Sequence, residues 1–245
     1  MTDPTIRVDI PSLPAGVPPV PSPVPKWAAV VGDRLVPLPR RLKAKDILFE
    51  AGAAPGSPLI RDYDSPHDVA LPDDADVDLA EGNVFRTERQ GTPGDGTRPD
   101  APPKLAFVVD DDWQDVIRSD QTGQMLRDLF GILPEALLLR DYRDPRDAVI
   151  QDDEHVEFAD GPVFRTHVGT VTVKVNTKPV KMSLRGTALA LKQAAIDQKV
   201  TSVKIDFLVF RILPDGSLSP QIPDNEFLTF HEGEEFSCVD SDDNS

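Results

Sequence analysis

The chain has 245 residues, 26 Lys and Arg against 42 Asp and Glu, a net charge of −16, 25 prolines, 4 histidines and one cysteine. Such a balance argues against nucleic acid, whose phosphates call for Lys and Arg, and against an anionic membrane; it favours a basic partner or divalent cations, although an acidic surface also serves solubility alone. One thiol, Cys238, allows no disulfide framework, no apolar run nears the roughly 18 residues of a spanning helix, and the N-terminus lacks a basic-then-apolar leader, so a cytoplasmic protein is expected.

Residues 1–26 contain PSLPAGVPPVPSPVPK, a proline density that predicts a disordered, polyproline-II-like tail, either a stiff spacer or a docking peptide. An apolar strand follows at Trp27–Val31, then a turn at Gly32–Arg34 and a second strand at Leu35–Pro39. A helix over Ala44–Ala51 is stopped by Gly52, and further strands fall at Leu59–Arg61 and Val84–Arg86. Residues 88–103 (ERQGTPGDGTRPDAPP) read as a linker. The same grammar then restarts: strands at Leu105–Val109 and Trp113–Arg118 around Asp110–Asp112, a helix at Thr122–Phe130 stopped by Gly131, and strands at Leu137–Arg140 and Val163–Arg165. After a very short junction near His167–Thr170 it runs a third time. Strands fall at Val171–Val175 and Pro179–Leu184, Thr187 caps a helix over Ala188–Asp197, and strands follow at Ile205–Ile212 and Glu235–Ser237. The long linker predicts a loosely attached first repeat, and the short junction predicts that the second and third are close neighbours.

The repetition is explicit. LIRDYDSPHDVALPDDADVDLAEGNVFRT (59–87) aligns without a gap on LLRDYRDPRDAVIQDDEHVEFADGPVFRT (138–166) at an offset of 79 residues. At an offset of 72, Asp224, Glu226, Leu228, Phe230, Gly233 and Phe236 match Asp152, Glu154, Val156, Phe158, Gly161 and Phe164. Self-similarity of this length sets the fold unit and the domain count together. A hairpin, a helix and two further strands in 60–70 residues predict an α+β unit with the helix across one face of a mixed sheet. The expected division is a tail at 1–26, domain 1 at 27–87, a linker at 88–103, domain 2 at 104–167, domain 3 at 168–238 and an acidic tail at 239–245.

Three stretches carry a resemblance: VKVNTKPV (173–180), LLLRDY (137–142) and DDEHVEFADGPVF (152–164). With the three-fold recurrence they resemble the bacterial multiubiquitin family, whose members are tandem ubiquitin-like β-grasp domains. The resemblance implies a protein handled by operon-encoded activating and conjugating enzymes and a JAB-type peptidase rather than an enzyme. It also implies self-assembly into dimers or filaments through calcium sites, with phage defence among the roles of such operons. This chain departs from a modifier in ending EGEEFSCVDSDDNS without Gly-Gly, so conjugation would require trimming after Phe236 or Cys238.

The four histidines stand singly, and no metalloprotease, nucleophile-elbow or phosphate-loop pattern is present. Cys238 sits beside Asp240, Asp242 and Asp243, which disfavour a thiolate. The remaining candidate chemistry is carboxylate. The clusters are Asp62, Asp64 and Asp68; Asp73 and Asp74 with Asp76; Asp110, Asp111 and Asp112; Asp141, Asp144 and Asp147; and Asp152 and Asp153 with Glu154. Calcium takes six to eight hard oxygens, and two chains could complete a shell together. Against that, no cluster has EF-hand spacing, Asp is a common turn residue, and Arg61 and Arg140 stand beside Asp62 and Asp141 as alternative partners. Trp113 is a candidate for core or for a partner patch, Phe85, Phe164 and Phe236 for core, and the Tyr63/Tyr142 pair for an interface or a rim. The functional expectation is a self-assembling ubiquitin-like protein with calcium bridging its acidic surfaces. The alternatives are a modifier conjugated after trimming and a non-conjugated β-grasp adaptor that binds peptides at its sheet edges.

Overall fold

Each repeat in the computed structural model, which describes residues 22–65, 68–87 and 99–240, is a mixed sheet with one helix, an α+β arrangement. The first unit comprises β1 (Trp27–Val31), β2 (Arg34–Leu38), β3 (Arg41–Lys43), α1 (Ala44–Glu50), β4 (Leu59–Arg61), β5 (Val69–Leu71), β6 (Asp76–Asp78) and β7 (Val84–Arg86). The second comprises β8 (Leu105–Val109), β9 (Asp112–Val116), β10 (Asp120–Thr122), α2 (Gly123–Phe130), β11 (Leu137–Arg140), β12 (Ala148–Val149), β13 (His155–Glu157) and β14 (Val163–His167). The third comprises β15 (Thr170–Val175), β16 (Lys178–Ser183), β17 (Arg185–Thr187), α3 (Ala188–Asp197), β18 (Leu208–Arg211), β19 (Phe227–Thr229) and β20 (Glu235–Val239).

The three main sheets share one order: β2-β1-β7-β4-β5, β9-β8-β14-β11-β12 and β16-β15-β20-β18. In each, the opening hairpin is antiparallel and its first strand lies parallel to the unit's last. Two of the hairpins turn through paired residues of positive φ, Asp110 and Asp111 (50° and 66°) and Asn176 and Thr177 (47° and 69°), the twist that suits tight antiparallel strands. Thr122 Oγ1 and Thr187 Oγ1 accept from Met125 N and Ala190 N, capping α2 and α3, and α2 ends on Gly131 at φ 60°. Thr122 is thus the cap of a helix that begins at Gly123. Three short ribbons, β3–β6, β10–β13 and β17–β19, tie the approach to each helix to the stretch before each unit's last strand. The expected strand at Ile205–Ile212 is shorter, Leu208–Arg211, because Val203–Phe207 form turns.

The last strand of each unit buries its phenylalanine: Phe85, Phe164 and Phe236 are at most 1% exposed. Over each ring stands an arginine of the neighbouring strand, Arg61, Arg140 or Arg211, all at 5.6 Å. The cation therefore rests on an aromatic face, and in the first two units it is not held by the adjacent Asp62 or Asp141.

One expectation about organisation fails. The first unit does not hang loosely: its core and that of the second are one continuous apolar cluster. Trp27 of β1 meets Phe158 of the second unit edge-on at 5.8 Å, and Phe158 meets Phe107 at 5.4 Å. The third unit has a separate core around Val173, Leu191, Phe230 and Phe236. Most of the Pro-rich tail (1–21), most of the linker (88–98) and the end of the acidic tail (241–245) lie outside the described residues. No helix among the described residues is long and apolar enough to cross a membrane.

Candidate functional site: a reciprocal seam

The opening strands of the first two units, WAAVV and LAFVV, are buried at every position, whereas TVTVKV in the third alternates. A strand buried on both faces reads as a continuous apolar run, and one with a wet face alternates. The second face of β1 and β8 is covered because the two sheets meet there. Val30 and Val84 of one unit and Ala106 of the other form a cluster, with Leu35 and Trp113 half-buried against it. Trp113 is thus part of the seam. At its centre lies Asn83, fully buried. Its Nδ2 donates to Ala28 O and Ala106 O (2.9 Å each), and its Oδ1 accepts from Ala106 N (2.7 Å).

Two clamps flank this centre, and they are copies of one another. The residues before β1 lie on the second unit: Lys26 N donates to Asp141 O (3.1 Å), and Val24 O accepts from Arg143 N (2.9 Å). The residues before β8 lie on the first: Lys104 N donates to Asp62 O (3.0 Å), and Pro102 O accepts from Asp64 N (3.0 Å). Pro25 thereby bridges Tyr142, and Pro103 bridges Tyr63. The proline sits where no side chain obstructs it: a Cβ on Gly161 would lie 2.4 Å from Pro25 Cβ, and one on Gly82 would lie 2.8 Å from Pro103 Cβ. The following lysine closes on a carboxylate, Lys26–Asp141 at 2.7 Å and Lys104–Asp62 at 3.0 Å. Each clamp therefore reads an extended X-Pro-Lys through two main-chain hydrogen bonds, a glycine floor and one ion pair. The contacts are reciprocal, as in a two-fold interface between identical subunits.

The third unit stays outside this pairing. Its counterparts of Asp62 and Asp64 are Ile212 and Pro214, and Pro214 has no N–H to donate. Thr170 replaces the lysine. The sheet face is polar, with Thr172, Lys174 and Glu235 where the partners have alanine and valine, and Lys174 is paired with Glu235 at 2.7 Å. This unit instead attaches through Arg185, whose guanidinium stacks on Phe227 at 4.1 Å and donates to Pro134 O and Asp152 of the second unit. Arg127 Nε lies 2.9 Å from the same carboxylate. Both arginines are about 5% exposed. Burial and the neighbouring Arg185 charge push the Arg127 pKa down.

The predicted metal carboxylates are dispersed by these roles. Asp62 and Asp141 hold the clamp lysines rather than Arg61 and Arg140. Asp68 and Asp147 accept from Tyr63 N and Tyr142 N (3.0 Å each) and pair with Arg86 and Arg165. Burial opposes ionisation of Asp147, but the Tyr142 amide and Arg165 hold its pKa below the usual carboxylate value. Asp144 pairs with Arg146 at 2.6 Å, Asp110 accepts from Thr166 N (2.8 Å), and Asp112 accepts from Trp113 N (2.9 Å). Asp152 carries the two arginines. Asp64, Asp73, Asp74, Asp111 and Asp153 face solvent. Among the described residues, no three His, Cys, Asp or Glu side chains converge as an ion site. Cys238 is 2% exposed on β20, and burial pushes its thiol up to about 11. Asn176 holds its N–H (2.7 Å) and carbonyl (2.8 Å), so trimming after Phe236 would remove a buried core residue.

The X-Pro-Lys clamps were missed in sequence reasoning. The signal was present: Pro-Lys precedes the apolar pentad twice, at 25–26 and 103–104. No protein-family model matches the chain, and no curated protein matches it.

Proposed function

We propose that the chain is a tandem ubiquitin-like β-grasp protein that works by association: a self-assembling scaffold, with no catalytic step of its own. The observation that carries this is the reciprocal seam, in which two units of one chain recognise each other through the contacts two identical subunits would use. The shared strand order, with a helix on one face and the first and last strands parallel at the centre, supports the β-grasp assignment. Calcium enters this reading only between chains, where solvent-facing Asp73, Asp74 or Asp153 of one copy would be completed by a second. Operon-encoded activating and conjugating enzymes and a JAB-type peptidase belong to the same proposal, as does a role in phage defence.

Light scattering from micromolar to millimolar protein, in calcium and then in chelator, tests it. Particles larger than a monomer that grow with concentration support the scaffold. A monomer throughout removes it. The modifier alternative would then require a processed end at or beyond Val239, read by mass spectrometry after co-expression with a peptidase.

A further inference from the structure

Each of the first two units carries both halves of the clamp. The first supplies Val24-Pro25-Lys26 and the receptor Asp62–Asp64 with Gly82; the second supplies Pro102-Pro103-Lys104 and the receptor Asp141–Arg143 with Gly161. Nothing in this recognition depends on the two units belonging to one chain. We infer that a second copy of the chain is a partner for this seam: unit 1 of one copy seats on unit 2 of the other, and the reverse, giving a closed two-fold dimer by exchange. This rests on the self-assembly reading and gives it a surface.

Three observations favour this occupant over an unrelated protein. Every contact of the seam is kept in the exchanged form, so no new complementarity is needed, which is what makes exchange a low-cost route to dimers. The stretch 88–98 joins the two units; eleven residues span up to about 36–40 Å, more than the diameter of a small domain at about 30 Å. Finally, the third unit cannot compete for the clamp, because Pro214 lacks the donor, Ile212 lacks the carboxylate and its sheet face is polar. With the exchange made in both directions, two chains are the smallest exchanged form in which every clamp is filled. Because the contacts are identical, the balance between closed monomer and exchanged dimer is set by the effective concentration that a tether of this length gives, on the order of millimolar. Exchange therefore gains on the monomer as protein approaches about 1 mM.

The test traps the exchange covalently. Pro25 and Tyr142 face each other across an antiparallel bridge, a spacing a disulfide can span. Two full-length chains are prepared, Pro25→Cys and Tyr142→Cys. They are mixed, opened in denaturant with reductant, allowed to re-close at about 10 μM or about 1 mM, and then oxidised. Native Cys238 is buried after re-closing and gives little background. The expected result is a linked heterodimer in the concentrated mixture, at least ten-fold above either chain alone and above the dilute mixture. A Pro25→Cys/Tyr142→Cys double variant should close within one chain. If the double variant closes and the mixture gives no heterodimer at either concentration, exchange is overturned. A double variant that does not close overturns the clamp geometry and the proposal with it. Light scattering on the same samples separates the two readings: larger particles without the heterodimer remove exchange and leave self-assembly, and a monomer everywhere removes both.

Discussion

Replacing Asn83 by alanine tests whether the seam is an energetic unit. The amide makes three hydrogen bonds at zero exposure, to Ala28 O, Ala106 O and Ala106 N, and so spans both units. Alanine leaves two carbonyls and an N–H buried without partners. Each such group costs about 1–3 kcal/mol, and water entering the vacated volume recovers part of that, so a loss of about 3–4 kcal/mol is expected. Both tryptophans, Trp27 and Trp113, lie in the first two units, and Trp27 packs across the seam. Tryptophan fluorescence therefore follows the pair alone, while far-UV circular dichroism follows all three units. For about 140 residues unfolding together, roughly 2–4 °C per kcal/mol gives a fall in the fluorescence midpoint of about 6–16 °C. The third unit has its own core and should keep its transition. A fluorescence shift under about 2 °C would refute the reasoning, because the seam would then contribute little to holding the pair.

Asp152→Asn should separate the third unit from the second, since it leaves two guanidiniums buried without a carboxylate; a loss of about 3–5 kcal/mol is expected, read as faster proteolysis between residues 167 and 170. Asp78 holds Arg40 and Arg41 at 2.8 and 2.9 Å; burial would raise its pKa, but hydrogen bonds from Arg40, the Ala80 amide and Arg41 bring it down to about 2. Its folded pKa lies below the unfolded one, so its contribution, on the order of 1–2 kcal/mol, is present above about pH 4 and fades as pH falls towards 2, and Asp78→Asn should flatten an acid titration of the fluorescence midpoint there. The Cys238 thiol should resist a thiol reagent at pH 8 in the native protein and react at once in denaturant; rapid native labelling would contradict its burial.

Much of the fold was legible because the repeat multiplied every local signal. Apolar pentads, helix caps and Gly131 located the hairpins and helices to within a residue or two. The ribbon strands β6 and β13 carry no legible sequence signal because they bury one residue each, Val77 and Val156, too few to set a period. The carboxylates were over-read for a related reason. An aspartate that caps a turn, pairs with an arginine or ligates an ion has the same letter, and only placement beside Lys104, Lys26 or Arg185 decides. The clamp went unseen because its specificity lies in main-chain groups and in the missing side chains of Gly82 and Gly161.

The contrast between the pentads holds the most direct test of what makes a unit pair. In β1 and β8 the outward positions are Ala28, Val30, Ala106 and Val108; in β15 they are Thr172 and Lys174, with Glu235 alongside on β20. Apolar surface on this face is worth about 25 cal/mol per Å² when covered, whereas covering the Lys174–Glu235 pair would cost desolvation of both charges. A triple change, Thr172→Ala, Lys174→Val and Glu235→Val, removes that penalty and gives the third unit the face of the other two. None of these residues contributes to its core, so the unit should still fold. The variant is expected to self-associate through the third unit at micromolar concentration, seen by sedimentation as a species larger than the wild type under the same conditions. If its size matches the wild type at every concentration, the apolar face is not what selects units for pairing. The selection would then rest on the X-Pro-Lys clamps, which the third unit lacks in any case.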